Sequence, residues 1–301
     1  MTEAIKIEKT ELTKIETNSI ETYYNTYGSP NDPPLLLVNG LGSSLMVWDE
    51  DFCMQLAAYG FWVIRYDNRD IGRATKFDKA GVPHVLAALM GQIDKPPYFL
   101  SDMAADGIGL LDSLGIEKAH VLGVSMGGMI VQEMLLGWPA RLLTAVSIMS
   151  STGHPELPQA SPVAMEVLMT PSPTDRQGYI EHSVKTWPVI GSPGFPVDEA
   201  RIRRRAALQY DWGLSPAGTA RQMVAIIASG HRRDRLQAVT TPTLVIHGKD
   251  DNLVRAEGGI DTANSIPNAE LMLIDGMGHN IPEPLWPQVF GRIAAHTKQT
   301  A

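Results

Sequence analysis

The pentapeptide Gly-Val-Ser-Met-Gly at residues 123–127 constrains the fold of this chain more than any other feature. A short apolar, β-branched stretch at 119–122 precedes it, and residues 128–135 follow it with the apolar spacing of a helix. Strand, tight turn and helix in direct succession are typical of a parallel sheet covered by helices. The glycines on either side of the serine allow strand and helix to approach closely, because a side chain at either position would fill that space.

Ser125, at the centre of this turn, is predicted to be a nucleophile. A serine at a strand-to-helix corner adopts a strained backbone conformation that projects its hydroxyl beyond the end of the sheet. The N-terminal N–H groups of the following helix point back at the site, where they can stabilise negative charge. The motif also occurs in ordinary glycine-rich turns, and it is the flanking strand and helix that favour a functional serine here.

His279 is the candidate base for this serine. A serine hydroxyl is a poor nucleophile near neutral pH and needs a base within hydrogen-bond reach, which a third group orients. His279 lies in a Gly-Met-Gly-His loop directly after a predicted strand at 269–275. The loop offers no helix or strand face that the ring could occupy as a core residue, so a functional role is the better interpretation.

Two adjacent carboxylates, Asp250 and Asp251, are the candidate acids that could orient His279. They lie in the turn after a predicted buried strand at 242–248, which gives the chain order serine, acid, histidine. The carboxyl ends of parallel strands meet at one edge of a sheet, where open α/β sheets have their sites. Adjacent side chains point in different directions, so only one of the two carboxylates can reach the histidine.

Two backbone N–H groups are predicted to stabilise the oxyanion of an acyl-transfer intermediate. Met126 directly follows the serine and supplies the first of them. The loop after a predicted strand at 34–39 supplies the second. Leu41 is the preferred donor in that loop, because Gly40 permits the tight turn that aims the Leu41 N–H inward.

The remaining histidines are predicted to be structural. His120 begins the strand before the nucleophile, His247 lies within a strand, and the others belong to no motif. No pair of His, Cys or carboxylate residues has the spacing of a metal site. Neither a metal nor any other cofactor is therefore expected.

Strands and helices alternate along most of the chain, which predicts an α/β fold with a mostly parallel central sheet and helices on both faces. The first 27 residues alternate as antiparallel edge strands do. Further strands are predicted at 34–39, 61–66, 119–124, 142–149, 242–248 and 269–275. Helices are predicted near 46–59, 101–114 and 126–137.

Past the middle of the chain the pattern changes, because prolines interrupt it and helical stretches near 174–187 and 198–229 follow. An insertion between strands on the carboxyl side of a sheet would cover the site as a lid. We therefore predict a core at 1–152 and 236–301. A mainly helical cap, inserted before the last two strands, is predicted at 153–235.

Several large side chains of the predicted cap could line a substrate pocket or form the cap's own core. They are Met165, Met169, Trp187, Phe195, Tyr210, Trp212 and Met223. The arginine-rich stretch at 201–205 is predicted to be a solvated helix face. The amphipathic segment at 83–90 is either a second lid element or a packed helix.

The composition is that of a globular protein with a sizeable core. The chain has 301 residues, 44% of them hydrophobic, and a net charge of −8. This charge argues against nucleic acids and anionic membranes as partners.

Cys53 is the only cysteine, so no intrachain disulfide forms, and its helical surroundings predict a buried structural thiol. Without a signal-like or membrane-spanning apolar stretch, a cytoplasmic location is expected.

The sequence resembles the α/β-hydrolase-fold serine hydrolases over nearly its whole length, and is most similar among them to the aclacinomycin methylesterase-like esterases. The stretches that carry the resemblance are residues 35–43, 63–74, 123–128, 241–248 and 276–279. The resemblance implies Asp251 as the acid, because the strand-Gly-x-x-Asp pattern of these enzymes begins here at Gly248. It also implies that the loop at 67–73 is structural, with charges that pair with one another.

These residues together predict a carboxylic ester hydrolase that works through an acyl-enzyme on a small-molecule ester, medium-sized and hydrophobic or methyl. Ser125, His279 and Asp251 would act as nucleophile, base and acid. The same residues could serve a lactonase, a carbon–carbon bond hydrolase or a cofactor-free perhydrolase or haloperoxidase, since the pocket sets the substrate. A non-catalytic ligand receptor on the same fold is a further alternative. The oligomeric state is not predicted.

Overall fold

An eight-stranded β-sheet forms the centre of the protein in the computed structural model, which describes residues 7–92 and 95–298. Its strands are β1 (Thr13–Thr17), β2 (Ile20–Tyr27), β3 (Pro34–Val38), β4 (Trp62–Tyr66), β5 (Ala119–Val124), β6 (Leu142–Ile148), β7 (Thr243–Gly248) and β8 (Glu270–Ile274). The strands predicted from β3 onwards are all present, with ends that differ by no more than one residue.

The sheet is mostly parallel, with an antiparallel edge. Its strand order is β1-β2-β4-β3-β5-β6-β7-β8. Strand β2 runs antiparallel to both β1 and β4, and all other neighbours are parallel. The predicted fold class and the predicted antiparallel N-terminal edge are thus confirmed. Residues 1–6 of that predicted edge lie outside the described residues.

Helices cover both faces of the sheet. In the described ranges they are α1 (Glu50–Ala57), α2 (Val85–Leu89), α3 (Leu100–Ser113), α4 (Met126–Gly137), α5 (Pro162–Met169), α6 (Arg176–Ile190), α7 (Glu199–Trp212), α8 (Pro216–Ala228), α9 (Arg233–Leu236), α10 (Ala256–Ser265) and α11 (Trp286–Thr297). Short 3-10 turns add Leu45–Val47, Asp78–Ala80, Pro139–Arg141 and Glu283–Leu285.

The predicted helix near 198–229 is wrong as a single element, because it is divided into α7 and α8. Gly213 ends α7 with a backbone φ of 135°, which favours glycine, and Pro216 is the first residue of α8. A further helix, α5, forms where prolines suggested only interruption. Its Pro162 occupies the first helical turn, where proline is tolerated, and the Ser161 hydroxyl accepts the Ala164 N–H at 3.2 Å.

Two hydrophobic layers lie on opposite faces of the sheet, and β3 contributes to both because successive side chains alternate. Leu36 and Val38 belong to the layer that includes residues of α3 and α4. Leu35 and Leu37 belong to the layer that includes residues of α1 and α11. A strand buried on both faces has a continuous apolar sequence, which is why the sequence alone locates this strand so closely.

Helices α5 to α9 all lie between β6 and β7, so the predicted helical insertion before the last two strands is present. Helix α6 packs against α7, and α2 packs against α8. The second contact places α2 beside the insertion, and it does not distinguish a packed helix from a second lid element at 83–90. Across the described ranges, no helix is both long and apolar enough to cross a membrane.

The loop after β4, residues 67–73, joins two helices of the insertion to the sheet. The Asp70 carboxylate pairs with the Arg221 guanidinium of α8 at 2.7 Å. The Asp67 carboxylate accepts the indole N–H of Trp212, at the end of α7, at 2.7 Å. The loop is structural, as expected, but the expectation that its charges pair with one another is wrong. They bind side chains of other elements instead, because those helices pack directly on the loop.

Candidate active site

Ser125 lies between β5 and α4 with a backbone φ of 54° and ψ of −121°, a region that side-chain-bearing residues rarely adopt. Its N–H donates to the Ile148 carbonyl of β6 at 3.0 Å. The glycines two residues before and after Ser125 are required, because a side chain at either position would clash with the backbone. A Cβ on Gly123 would lie 2.1 Å from the Gly127 carbonyl oxygen, and a Cβ on Gly127 would lie 2.1 Å from that of Val38. The sequence therefore forces the sharp corner that projects the Ser125 hydroxyl.

His279 is brought against Ser125 by the loop after β8. Its Nε2 lies 3.1 Å from the Ser125 Oγ, and its Nδ1 lies 2.7 Å from the Asp251 Oδ2. The His279 backbone N–H donates to the Ile190 carbonyl, the last residue of α6, at 2.7 Å. The histidine loop is thus held by both the sheet and the insertion, with the ring between a hydroxyl and a carboxylate.

Asp251 is fixed by its own turn. Its Oδ1 accepts the N–H groups of Leu253 and Val254, each at 2.9 Å, which leaves Oδ2 for His279. The neighbouring Asp250 points elsewhere, and its Oδ2 accepts the Gly276 N–H at 2.7 Å. The choice of Asp251 over Asp250 agrees with this geometry.

His247 lies beside the Asp251 carboxylate, a proximity that sequence analysis missed. Its Nε2 is 2.8 Å from the Val254 carbonyl oxygen and 3.6 Å from the Asp251 Oδ2. Burial lowers the pKa of His247, although its contacts with Val254 and Asp251 oppose this. A buried, neutral ring that donates to a carbonyl supports the turn on which Asp251 lies. From the sequence, His247 could only be assigned to a buried strand and given a structural role.

Leu41 and Met126 both line the cavity that Ser125 and His279 share. Met126 is the first residue of α4, and Leu41 lies in the loop after β3. A Cβ on Gly40 would lie 3.4 Å from the Ser125 Cβ, so this loop passes directly beside the serine. Neither the Leu41 N–H nor the Met126 N–H donates to another described residue. Both remain available to a ligand in the cavity.

The shared cavity has a volume of about 500 Å³ and is lined mainly by apolar side chains. Of the large cap residues singled out from the sequence, Met165, Trp187 and Met223 line it. The other four do not line it: Trp212 is buried elsewhere, Phe195 and Tyr210 are partly buried, and Met169 is exposed. Trp212, for example, is buried against Asp67. The pocket interpretation thus holds for three of the seven, and Trp212 packs on the loop after β4 rather than in a core of the cap.

The arginine-rich stretch at 201–205 is only partly a solvated face, which corrects the sequence prediction: Arg203 and Arg204 lie toward solvent, whereas Arg201 and Arg205 do not. Arg201 is mostly buried and pairs with Asp49 at 2.9 Å. Arg205 lines the cavity, and its guanidinium lies over the Trp187 ring, 4.8 Å from the centroid. Helix α7 turns these two side chains toward the protein interior, because residues four apart lie on one face of a helix.

Cys53 and His120, which have chemically versatile side chains, lie in the protein interior. Cys53 is fully buried in α1, as predicted, and burial raises the pKa of its thiol to about 12. His120 is buried as well, with its Nδ1 2.8 Å from the Thr144 Oγ1. Across residues 7–92 and 95–298, no three His, Cys, Asp or Glu side chains lie together in a way that could hold a metal ion.

Comparison with known proteins places the chain in a family. A sequence model of the alpha/beta hydrolase fold matches residues 33–283, which include Leu41, Ser125, Asp251 and His279. The chain belongs to the α/β-hydrolase fold family.

Two relatives of this α/β-hydrolase are rhodomycin D methylesterases from Streptomyces. DnrP of Streptomyces peucetius is 30% identical, over 95% of this chain and 98% of that protein. DauP of Streptomyces sp. (strain C5) is also 30% identical, over 90% and 93%. Both agree with the resemblance to methylesterases.

Among solved structures, the enol-lactonase from Burkholderia xenovorans LB400 has a TM-score of 0.70 at 22% identity, over 95% of this chain and 100% of that one. At this identity, the likeness supports the fold alone.

Proposed function

We propose that this α/β-hydrolase is a carboxylic ester hydrolase that works through an acyl-enzyme on Ser125. The observation that carries the proposal is the continuous relay from the Ser125 hydroxyl through His279 to Asp251, with contacts of 3.1 and 2.7 Å beside a cavity. A serine, a base in contact with it and an acid in contact with the base are the parts that acyl transfer needs. The similarity to methylesterases supports an ester as substrate.

In the proposed mechanism, the Ser125 Oγ attacks the ester carbonyl carbon while the His279 Nε2 takes its proton. Asp251 accepts a hydrogen bond from the His279 Nδ1–H, which selects the tautomer whose Nε2 is free to act as a base. The intermediate collapses as the alcohol leaves with the proton from His279. Water then attacks the acyl-enzyme by the same steps and releases the acid.

The Leu41 and Met126 N–H groups are proposed to bind the oxyanion of both tetrahedral intermediates. This assignment rests on two observations: both residues line the cavity beside Ser125, and neither N–H has a partner among the described residues. Met126 also begins α4, whose N-terminal dipole favours negative charge there. Preorganised donors of this kind contribute strongly because they need no reorganisation during the reaction.

The insertion at 153–235 is proposed to act as a cap that shapes the substrate pocket. Side chains from α5, α6, α7 and α8 line the cavity together with residues of the sheet, which supports this role. A cavity of about 500 Å³ with mainly apolar walls suits a medium-sized, hydrophobic small molecule. We propose such an ester, including methyl esters, as the substrate class and keep the cytoplasm as the expected location.

The proposal is tested by the hydrolysis of p-nitrophenyl esters from acetate to decanoate and of methyl arylalkanoates, with wild type and Ser125→Ala. We expect turnover by the wild type and a loss of about 10⁴-fold or more in the variant. Paraoxon should phosphorylate Ser125 in the wild type, with the mass increase confined to the peptide that contains it. Ser125→Ala, checked for folding by circular dichroism, should remain unlabelled.

Each other outcome points to a defined alternative. Equal turnover by wild type and Ser125→Ala would remove Ser125 as the nucleophile. Turnover of lactones without turnover of open-chain esters would identify a lactonase with the same residues. Labelling by paraoxon without hydrolysis of either class would favour carbon–carbon bond hydrolysis or peracid chemistry. Neither labelling nor hydrolysis would leave a ligand receptor.

A further inference from the structure

Arg205 is an unusual member of the cavity wall. It lies on α7, and its guanidinium packs over the indole ring of Trp187 from α6, 4.8 Å from the ring centroid. Both side chains line the cavity that contains Ser125. Stacking on an aromatic face holds the planar guanidinium in one orientation while leaving its N–H groups free at the edge.

The N–H groups of Arg205 have no partner within the described ranges, since no hydrogen bond or ion pair joins them to another described residue. Two other arginines of the same helix form ion pairs with carboxylates. Arg201 pairs with Asp49 at 2.9 Å, and Arg203 pairs with Glu181 at 2.7 Å. Carboxylates thus neutralise these two cations, whereas the described residues give the arginine that lines the cavity no such partner.

A guanidinium held away from water without a counter-ion is costly, which makes the arrangement informative. Burial lowers the pKa of Arg205, and the charge of Asp49 opposes this effect. Asp49 also lines the cavity, but its carboxylate already binds Arg201. Arg255, an exposed residue of the cavity wall, adds a second positive charge. The charged wall of the cavity thus has an excess of positive charge.

We infer that Arg205 is a substrate-binding residue that recognises a carboxylate, so that the preferred substrate is an ester that also carries a free carboxylate group. A guanidinium presents paired N–H donors that match the two oxygens of a carboxylate. A carboxylate monoanion, rather than a phosphate dianion, matches the single charge of Arg205, because Arg255, the other arginine of the cavity wall, is exposed to solvent. The inference rests on the proposed function, since it names the substrate class of the same site.

The test compares monomethyl esters of succinic, glutaric, adipic and suberic acids with the corresponding methyl esters in which an amide replaces the carboxylate. Methanol release gives kcat/KM for each. Wild type should prefer at least one acidic ester over its amide partner. In Arg205→Met this preference ratio should fall about 10- to 100-fold, because a charge-assisted pair is lost. Arg205→Lys should retain part of the ratio, since it keeps the charge but not the paired donors.

Arg203→Met is the matched control, because it removes an arginine of the same helix whose partners, Glu181 and Glu199, lie outside the cavity wall. Its preference ratio should equal that of wild type. Equal ratios in wild type and Arg205→Met, with both enzymes active, would overturn the inference while leaving the esterase intact.

A binding measurement separates failure of the inference from failure of the proposed function. Calorimetric titration of monomethyl adipate into Ser125→Ala needs no hydrolysis. Heat of binding that disappears in Ser125→Ala/Arg205→Met would support the carboxylate subsite even if no ester is turned over. Equal binding of monomethyl adipate and its amide by Ser125→Ala would reject the subsite.

Discussion

At the scale of single residues, Ser125 has a strained backbone conformation that hydrogen bonds from β6 and the segment after it hold in place. A positive φ of 54° costs on the order of 1–3 kcal/mol for a residue with a side chain. The surrounding structure holds it there: the Ser125 N–H donates to the Ile148 carbonyl at 3.0 Å, and the Ser125 carbonyl accepts the Ser150 hydroxyl at 2.7 Å. The hydroxyl is therefore positioned before any ligand arrives, which is what electrostatic preorganisation requires.

The adjacent carboxylates Asp250 and Asp251 can be told apart by mutation, since only Asp251 contacts His279. Asp251→Asn should lower kcat about 10³- to 10⁴-fold, because an amide N–H facing His279 stabilises the tautomer that cannot accept the Ser125 proton. The substituted side chain can still accept the Leu253 and Val254 N–H groups through Oδ1, so the turn should persist. Steady-state kinetics with a p-nitrophenyl ester measures the effect.

Asp250→Asn is the matched control for that variant. Asp250 is exposed and its carboxylate accepts only a backbone N–H, that of Gly276, in the described structure. The kcat of the Asp250→Asn variant should stay within about threefold of the wild-type value. A large loss in Asp250→Asn together with near-normal kcat in Asp251→Asn would mean that Asp250, and not Asp251, is the acid.

Sequence analysis singled out Ser125 and His279 as candidates because of the local sequence around each of them. A serine between two glycines at the end of a strand, and a histidine in a glycine-rich loop, have few structural explanations. Arg205 could not be found in this way, since its neighbours are also arginines and the sequence does not reveal which face of α7 turns inward. Only packing against Trp187 distinguishes it.

At the scale of elements, the attachment of α8 to the loop after β4 is a buried ion pair. The Arg221 Nε and Nη2 donate to the two Asp70 oxygens at 2.8 and 2.7 Å, and both side chains are almost completely buried. Tyr98 also donates to Asp70, at 2.6 Å. The geometry is bidentate, which suits arginine and carboxylate.

Arg221→Met should lower the free energy of unfolding by about 3 kcal/mol, because the Asp70 carboxylate then remains buried without its counter-ion. It should also raise KM, since α8 carries Met223 of the cavity wall. Urea denaturation and ester kinetics measure the two effects.

The double variant Asp70→Asn/Arg221→Met tests the cause of that loss. It should recover part of the stability, because removing both charges leaves no uncompensated ion. Arg203→Met, on the outside of α7, should be close to wild type in stability, since its ion pairs are solvent-exposed. A double variant no more stable than Arg221→Met would show that lost packing, rather than the charge, destabilises α8.

The elements themselves were largely predictable, and the exceptions have physical causes. Strands buried on both faces are continuous apolar runs between turns, which fixed their positions to within one residue. The break between α7 and α8 was not predicted, because a helical pattern continues on both sides of Gly213. The partners of Asp67 and Asp70 come from α7 and α8, distant in sequence, so local patterns could not reveal them.

At the scale of the whole molecule, the alternation of strands and helices determines where the site forms. Ser125, Asp251 and His279 each follow a parallel strand, so the sheet brings together residues that are up to 154 positions apart. The insertion between β6 and β7 contributes part of the wall of the cavity beside them. The composition of the cavity wall was beyond sequence analysis, since it depends on how four helices rotate against one another.

Acid stability is a whole-molecule property that one buried ring should influence. His120 lies in β5 against Thr144, and burial, reinforced by the charge of His296, lowers its pKa to about 4. In the unfolded chain the ring has its ordinary pKa of about 6.5. Between these values the unfolded state binds a proton that the folded state does not, so the free energy of unfolding falls as the pH falls.

His120→Gln should remove this component, because glutamine can still contact Thr144 but does not titrate. The difference in unfolding free energy, wild type minus variant, should decrease by about 3 kcal/mol between about pH 7 and pH 4. Urea denaturation followed by tryptophan fluorescence at several pH values measures it, and circular dichroism at neutral pH confirms that the variant folds. A difference that is constant across this range would mean that His120 is protonated in the folded protein, with solvent reaching the ring.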